Sequence, residues 1–398
     1  MKKDNEGEEM EIQRVILKKT EEQRILEGHP WIFSNEIARF EGQITSGELC
    51  DVYSDDKRYI GRGFLNTASK IMVRMLSFEP IVVDEAFFLK RISNAYTYRQ
   101  NLGFFNNCRV VFGEADELPG LIVDKYGDYL SIQVLSLGME KRKDMIVQAL
   151  ITIFHPKGIM ERSDTPIRQK EGLEPVKQKL YPSDFNTRVI IEENGILLQV
   201  DLENGQKTGY FLDQKNNRKA LEQYVNGKRV LDCFSHTGGF ALHAACYGAS
   251  SVTALDISQK ACQDILENAK LNQVNVQVIC TDVFDYLREE AHQGEFDVIV
   301  LDPPAFTKSK DTVEKAYRGY KEINRSALKL LDKNGILMTF SCSQHMSPAL
   351  FLQMLKEAAI DAKKRVQMVD FKIQSPDHPT RLGSDESLYL KCVVLRVL

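Results

Sequence analysis

From about residue 209 onward, short apolar runs alternate with stretches whose apolar positions recur at helical spacing. The pattern predicts strands at Arg229–Phe234, Ser251–Ile257, Asn275–Thr281, Phe296–Leu301, Gly335–Ser341, Val366–Ile373 and Leu390–Val397. Helices are predicted between them, near 238–247, 258–272, 283–292, 311–331 and 347–362. Continuous apolar strands with interleaved helices imply a parallel sheet covered on both faces, an α/β architecture. The N-terminal part reads differently. Short β-like runs at Arg14–Lys18, Gly47–Tyr53, Tyr59–Leu65 and Ile71–Leu76 suggest a small β-barrel over 12–80. A small central α/β domain is expected over 84–190, with helices at Asp84–Leu102 and Glu140–Phe154. Its strands are expected at Cys108–Phe112, Leu121–Lys125, Tyr129–Val134 and Gly158–Arg162, and 163–182 reads as a proline-rich polar loop. Asn194-Gly195 marks a β-hairpin turn, placed in a linker over 191–208 ahead of the C-terminal domain, 209–398.

Composition narrows the classes. A chain of 398 residues with 43% apolar and 27% charged residues has material for several packed cores. No run of about 18 apolar residues occurs, so no membrane-spanning helix is expected. The start, MKKDNEGEEM, is too polar for a signal peptide, so a cytoplasmic location is expected. The eight cysteines have no zinc-knuckle spacing, and no metal site is expected. The net charge of −4 means that any nucleic-acid binding must rely on local patches.

Ligands of parallel sheets bind beyond the carboxyl ends of the strands. The first strand ends in Asp232-Cys233-Phe234, followed by Ser235-His236-Thr237-Gly238-Gly239 at the start of a helix. Small residues there let a ligand approach the backbone, but the spacing does not match the dinucleotide fingerprint. The second strand ends in Asp256-Ile257-Ser258, where an acid can accept from both ribose hydroxyls of S-adenosylmethionine (SAM) or a nicotinamide cofactor. The third ends in Asp282-Val283, suited to an adenine amino group; either acid can equally serve as a helix cap. The fourth ends in Asp302-Pro303-Pro304-Ala305-Phe306, a rigid turn rich in acceptors that suits a planar base bearing an amino group.

These residues resemble a class I SAM-dependent methyltransferase, with a Rossmann-like sheet over 209–398 and Asp302-Pro303-Pro304 as its fourth motif. Gly28-His29-Pro30-Trp31, Glu161-Arg162-Ser163-Asp164, Glu171-Gly172-Leu173 and the run from Gly205 through Asp213-Gln214 to Asn217-Arg218 are narrower. Together they resemble the ribosomal RNA large subunit methyltransferase I family, over nearly the whole chain beyond the first ten or so residues. The resemblance implies a PUA domain, a small α/β domain and a methyltransferase domain that forms 5-methylcytosine in 23S rRNA with SAM. It leaves room for a homodimer. It assigns the nucleophile's role to Cys342, at the end of the fifth strand, with Asp302 facing it across the pocket. Cytosine C5 is a poor nucleophile; a thiolate adding at C6 turns the ring into an enamine that can attack a methyl sulfonium. Many RNA cytosine methyltransferases carry a second cysteine after the fourth motif; here Ala305 and Phe306 occupy that region.

Gln214 and Arg218 are expected to close over SAM, Arg218 against its carboxylate. Pro303, Pro304, Phe306, Lys308 and Arg318 are expected on the base and RNA side, within a segment from Lys308 to Arg325 that carries a local charge of +3. Tyr317 and Tyr320 in it are candidates for base stacking, and Arg162, Arg168 and Lys170 form a second candidate patch. An N-methyltransferase without a covalent step, a nicotinamide oxidoreductase and a non-catalytic SAM-binding chaperone remain open at this point.

Overall fold

The computed structural model describes residues 12–307 and 310–398. Two compact units emerge. One gathers the residues up to Thr187 with 202–209 and 379–385, the other 188–201, 210–378 and 386–398.

The first unit holds two sheets. A six-stranded sheet runs in the order Trp31–Phe33, Ile71–Ser77, Tyr59–Leu65, Leu49–Tyr53, Gln13–Leu17, Ile37–Glu41. Val15, Leu17, Ile32, Val52, Leu65 and Val73 are buried in its core. The strands at 31–33 and 37–41 were not predicted; the first is three residues long, too short for alternation to register. The five-stranded sheet runs Val176–Tyr181, Gly158–Ser163, Tyr129–Val134, Leu121–Tyr126, Asn107–Phe112, with helices at Glu85–Asn101 and Lys143–Phe154. The supposed loop at 163–182 therefore contains an edge strand. Its sequence, VKQKLY, carries lysines that suit an exposed edge and hide the apolar signal. Glu171 joins the two sheets, accepting from Ser69 Oγ (2.6 Å), Arg74 Nη2 (2.9 Å) and Asn66 Nδ2 (3.1 Å). Trp31 is fixed in the same seam, with Nε1 donating to Glu114 at 2.8 Å.

The second unit is built on a seven-stranded sheet. Its order is Gln277–Cys280, Ser251–Asp256, Arg229–Cys233, Val298–Leu301, Ile336–Ser341, Lys391–Val397, Val366–Lys372. The first five strands in chain order are parallel, and the last strand runs antiparallel between its neighbours. Strand order reverses on either side of Arg229–Cys233, so a crevice opens at its carboxyl end. Among the described residues no helix is long and apolar enough to cross a membrane.

The hairpin is Arg188–Glu193 paired with Ile196–Asp201, turning through Asn194 (φ 56°) and Gly195 (φ 83°). It is not the linker expected over 191–208 but part of the methyltransferase unit. Asn272 and Asn268, on the helix Gln259–Leu271 and at its end, satisfy its backbone: Leu197 N–H donates to Asn272 Oδ1 (2.9 Å) and Gln199 N–H to Asn268 Oδ1 (2.8 Å). At the turn, Glu193 accepts from Arg218 Nε at 2.6 Å and from its Nη2 at 3.1 Å, with both side chains buried. His243 lies 3.7 Å from Glu193, but burial pushes its imidazolium down to about 4, so Arg218 alone balances the carboxylate at neutral pH. Removing one partner of such a pair strands a buried charge. Glu193→Gln is expected to destabilise the protein by about 3–5 kcal/mol, read as a lowered urea midpoint; an unchanged midpoint would show that the pair contributes nothing.

Candidate active site

The first strand delivers its end into a tight loop. Phe234 (φ 62°) and His236 (φ 52°) both adopt left-handed backbone, which costs of order 1–3 kcal/mol per non-glycine residue and concentrates at functional sites. Gly238 (φ 86°) needs its freedom, and a Cβ at Gly239 would stand 2.8 Å from Tyr210 Oη. Ser235 Oγ donates to Asp232 O (2.8 Å), and Thr237 Oγ1 lies 3.3 Å from His236 Nδ1. Asp232 is buried, and its Oδ2 accepts from Ala241 N–H on the following helix at 3.0 Å. Its Oδ1 is buried and meets no well-aligned donor among the described residues. Burial pushes the carboxyl up to about 7. A buried acceptor left unmet is costly unless a ligand meets it, and a cofactor ammonium group fits that atom.

At the second strand end, Asp256 accepts from His236 N–H through Oδ2 and from Ser258 N–H through Oδ1, both at 2.9 Å. The helix cap is Ser258, whose Oγ accepts from Ala261 N–H. Asp256 is therefore a half-exposed carboxylate locked in place by backbone donors. Beside it Ile257 is 70% exposed, an apolar surface at a polar strand end that suits one face of a purine. Asp282 does serve as a cap, accepting from Phe284 N–H at 2.7 Å, with Val283 buried behind it. The cap uses Oδ1.

The fourth and fifth strands pair in parallel, with Leu301 opposite Thr339. Their exits bring Asp302 and Cys342 to one place: the thiol of Cys342, half-buried, reaches Pro303 O at 3.9 Å. Asp302 Oδ2 accepts from Gln214 Nε2 at 2.9 Å, and Asn217 Nδ2 holds Gln214 Oε1 at 2.7 Å. Pro303 is buried and Pro304 exposed. Phe306 is half-buried on Tyr320, ring centroids 4.5 Å apart. Buried Lys391 closes the floor, donating to Ser343 O (2.7 Å) and Tyr389 O (2.8 Å).

Several sequence expectations change. Arg218 does not reach toward a cofactor carboxylate; it is spent on Glu193 and on Phe211 O, at 2.6 Å. Gln214 is buried and orients Asp302 rather than lying as a cover. Tyr320 is fully buried, its hydroxyl 3.0 Å from Ser343 Oγ, so it offers no face to a base. Lys321 pairs with Glu357 and Asp361. Arg162 is buried against Asp164 and the carbonyls of Leu202 and Gly205, and Arg168 against Glu140, so neither belongs to an RNA patch. Lys170 and Arg318 remain exposed, and Lys308 lies outside the described residues. Sequence reasoning missed Lys391; its only signal is a lysine opening a largely apolar strand.

The sequence model of a PUA-like domain matches residues 15–78, and that of an S-adenosylmethionine-dependent methyltransferase matches 178–396. Ribosomal RNA large subunit methyltransferase I of Escherichia coli is 41% identical over 397 residues, covering 97% of this chain and 99% of its own. The protein of that name from Aeromonas salmonicida is 42% identical over 390 residues, covering 96% and 98%. Among solved structures, a proposed SAM-dependent methyltransferase from Streptococcus mutans superposes with a TM-score of 0.82 at 24% identity, covering 97% of this chain and all of that one. A methyltransferase complexed with SAH gives a TM-score of 0.83 at 23% identity over the same share of this chain. With relatives of this identity along nearly its whole length, the chain belongs to the ribosomal RNA large subunit methyltransferase I family.

Proposed function

We propose that this protein methylates C5 of a cytosine in 23S rRNA, using Cys342 as a covalent nucleophile. The observation that carries this reading is the meeting of Cys342 Sγ with the Asp302-Pro303-Pro304 turn, 3.9 Å from Pro303 O. SAM fits the other strand ends. Asp232 Oδ1 would accept from its ammonium group, Asp256 from its ribose, and Asp282 from its adenine amino group, with Val283 and Ile257 along the purine. Bound there, it supplies an electrophilic methyl group.

The chain's own residues supply the rest. Asp302, oriented by Gln214, holds the amino edge of the base and in its protonated form donates to N3. The thiolate of Cys342 forms a bond to C6, and the C5–C6 π pair becomes available at C5. Transfer of the C5 proton to water after methylation restores that double bond as the sulfur–carbon bond breaks, returning the thiolate. Pro303 and Pro304 leave the turn without N–H groups, so acceptors predominate around the base. Exposed Arg318 and Lys315 are cations available to phosphate on the adjoining helix, and the PUA-like sheet adds a second surface for RNA.

Two outcomes test the reading. Cys342→Ala is expected to abolish formation of 5-methylcytidine in rRNA, read by nucleoside mass spectrometry, while SAM still binds. With RNA bearing 5-fluorocytidine, wild type is expected to give a denaturant-stable adduct, because fluorine cannot leave as a proton. Retained turnover in Cys342→Ala, with an N-methylated product, would replace the covalent route by direct attack from nitrogen.

A further outcome concerns Asp232. Its folded value is about 7 against an ordinary value of 3.8, so between these the folded apoprotein holds a proton that the unfolded chain has lost. Apoprotein stability should therefore fall as pH rises through that window. A bound ammonium favours the carboxylate, so SAM affinity should rise with pH up to about 7, by at most about tenfold per unit. Calorimetric titration of SAM into Asp232→Asn should show weaker binding without that slope; a wild-type slope retained in the variant would remove Asp232 from cofactor binding.

A further inference from the structure

Tyr320, in the helix Val313–Leu330, is fully buried in the layer that covers one face of the sheet. A phenylalanine would serve packing alone, because a phenol brings a polar group that must be desolvated. Its hydroxyl lies 3.0 Å from Ser343 Oγ. Burial pushes the phenol up, and hydrogen bonds with Ser341 and Ser343 draw it partly back, so it keeps its proton at physiological pH. These two serines are the neighbours of Cys342. Alternation along the fifth strand puts both on the face that meets Tyr320 and turns Cys342 to the other. The packing agrees: Leu337 shares the layer of Tyr320, while Phe340 and Cys342 lie in the opposite one. Tyr320 therefore reaches the backbone around Cys342 from behind. Ser343 is 1% exposed, and its carbonyl is fixed as well, accepting from Lys391 Nζ at 2.7 Å and from Met346 N–H at 3.1 Å.

The ring of the same side chain has a second partner. Phe306, just after the Asp302-Pro303-Pro304 turn, packs on it with centroids 4.5 Å apart and planes at 39°. Gly319 makes room for this contact, since a Cβ there would stand 3.2 Å from Phe306 Cδ2. Phe284 supports Phe306 from its other side, with centroids 6.1 Å apart. One buried side chain thus touches the segment that leaves the turn and the residue that follows Cys342.

We propose that Tyr320 is a positioning residue that sets the spacing between Cys342 and the Asp302-Pro303-Pro304 turn, its hydroxyl holding the exit of the fifth strand and its ring holding Phe306. The inference rests on Cys342 as nucleophile. The sulfur must meet C6 of a base whose amino edge is held at Asp302. An error in their separation falls on bond formation rather than on capture of RNA or SAM. The hydroxyl can be removed while the ring stays, which separates positioning from packing.

The experiment measures steady-state methylation of 23S rRNA, with rates expressed per SAM-binding site counted by calorimetric titration. Tyr320→Phe is expected to lower kcat by about ten- to a hundredfold, with KM for RNA and Kd for SAM within about twofold of wild type. Ser343→Ala removes the other end of the same bond and should lower kcat likewise. The double variant should be no slower than the slower single one, because both substitutions break one interaction. A merely structural role would lower the urea midpoint and the number of SAM-binding sites while leaving kcat per site unchanged. Wild-type kcat per site in either folded variant overturns the proposal and leaves the covalent reading intact; so do single losses that multiply in the double variant. If Tyr320→Phe does not fold, Ser343→Ala decides alone. Turnover surviving in Cys342→Ala is a separate result, which removes the covalent reading and the positioning role with it.

Discussion

The parallel register between Val298–Leu301 and Ile336–Ser341 is the constraint on which the site depends. It sends both strands out of the same edge of the sheet, so the Asp-Pro-Pro turn and Cys342 meet beyond it. Side chains alternate along a strand, so a slip of one residue would turn Cys342 to the other face of the sheet. The register is protected by burial on both sides. Ile299, Leu301 and Leu337 pack into one face, Val298, Val300, Met338 and Phe340 into the other, and no one-residue shift satisfies both. The last strand adds a second lock, pairing with the fifth from Ile336 to Ser341 and placing Lys391 at the same edge.

That edge is electrostatically uneven by construction. Asp232, Asp256, Asp282 and Asp302 end four consecutive strands, which would be repulsive if left to water alone. Three are tamed by donors within the fold: Asp256 and Asp282 by backbone N–H groups, Asp302 by Gln214. Asp232 keeps one bare oxygen and a raised proton affinity instead. In the proposed reading, that oxygen is the one that would accept from the ammonium group of SAM. Near the exit of the fifth strand the buried ammonium of Lys391 is held by the carbonyls of Ser343 and Tyr389.

Much of this was legible because strand ends are local. Local runs mark the seven strands, and the short polar signatures after the first four carry the acids. What stayed hidden depended on partners far along the chain. Arg218 reads as a surface cation until Glu193, 25 residues earlier, folds back onto it. Gln214 finds Asp302 across 88 residues. Lys391 comes beside the fifth strand only because the last strand inserts antiparallel between the fifth and sixth, a topological fact that no local pattern states. The edge strand Val176–Tyr181 escaped for the opposite reason: its lysines and glutamine serve an exposed rim and erase the apolar rhythm.

The same distinction bears on how an acidic protein handles RNA. Counting cations along the sequence overstates what a nucleic acid would meet, because many are consumed internally. Arg162, Arg168 and Arg218 are buried in ion pairs, and Lys321 bridges to Glu357 and Asp361. A cation already paired in a low-dielectric interior cannot release counterions from a phosphate backbone. The surviving exposed cations of the helix at Val313–Leu330, Lys315 and Arg318, stand on the element that follows the Asp-Pro-Pro turn. In the proposed reading, phosphate contacts there would set the register of the strand relative to the pocket, while the turn would select the base. Few cations are needed for that task when shape and a flipped base provide the specificity, which reconciles a net charge of −4 with an RNA substrate.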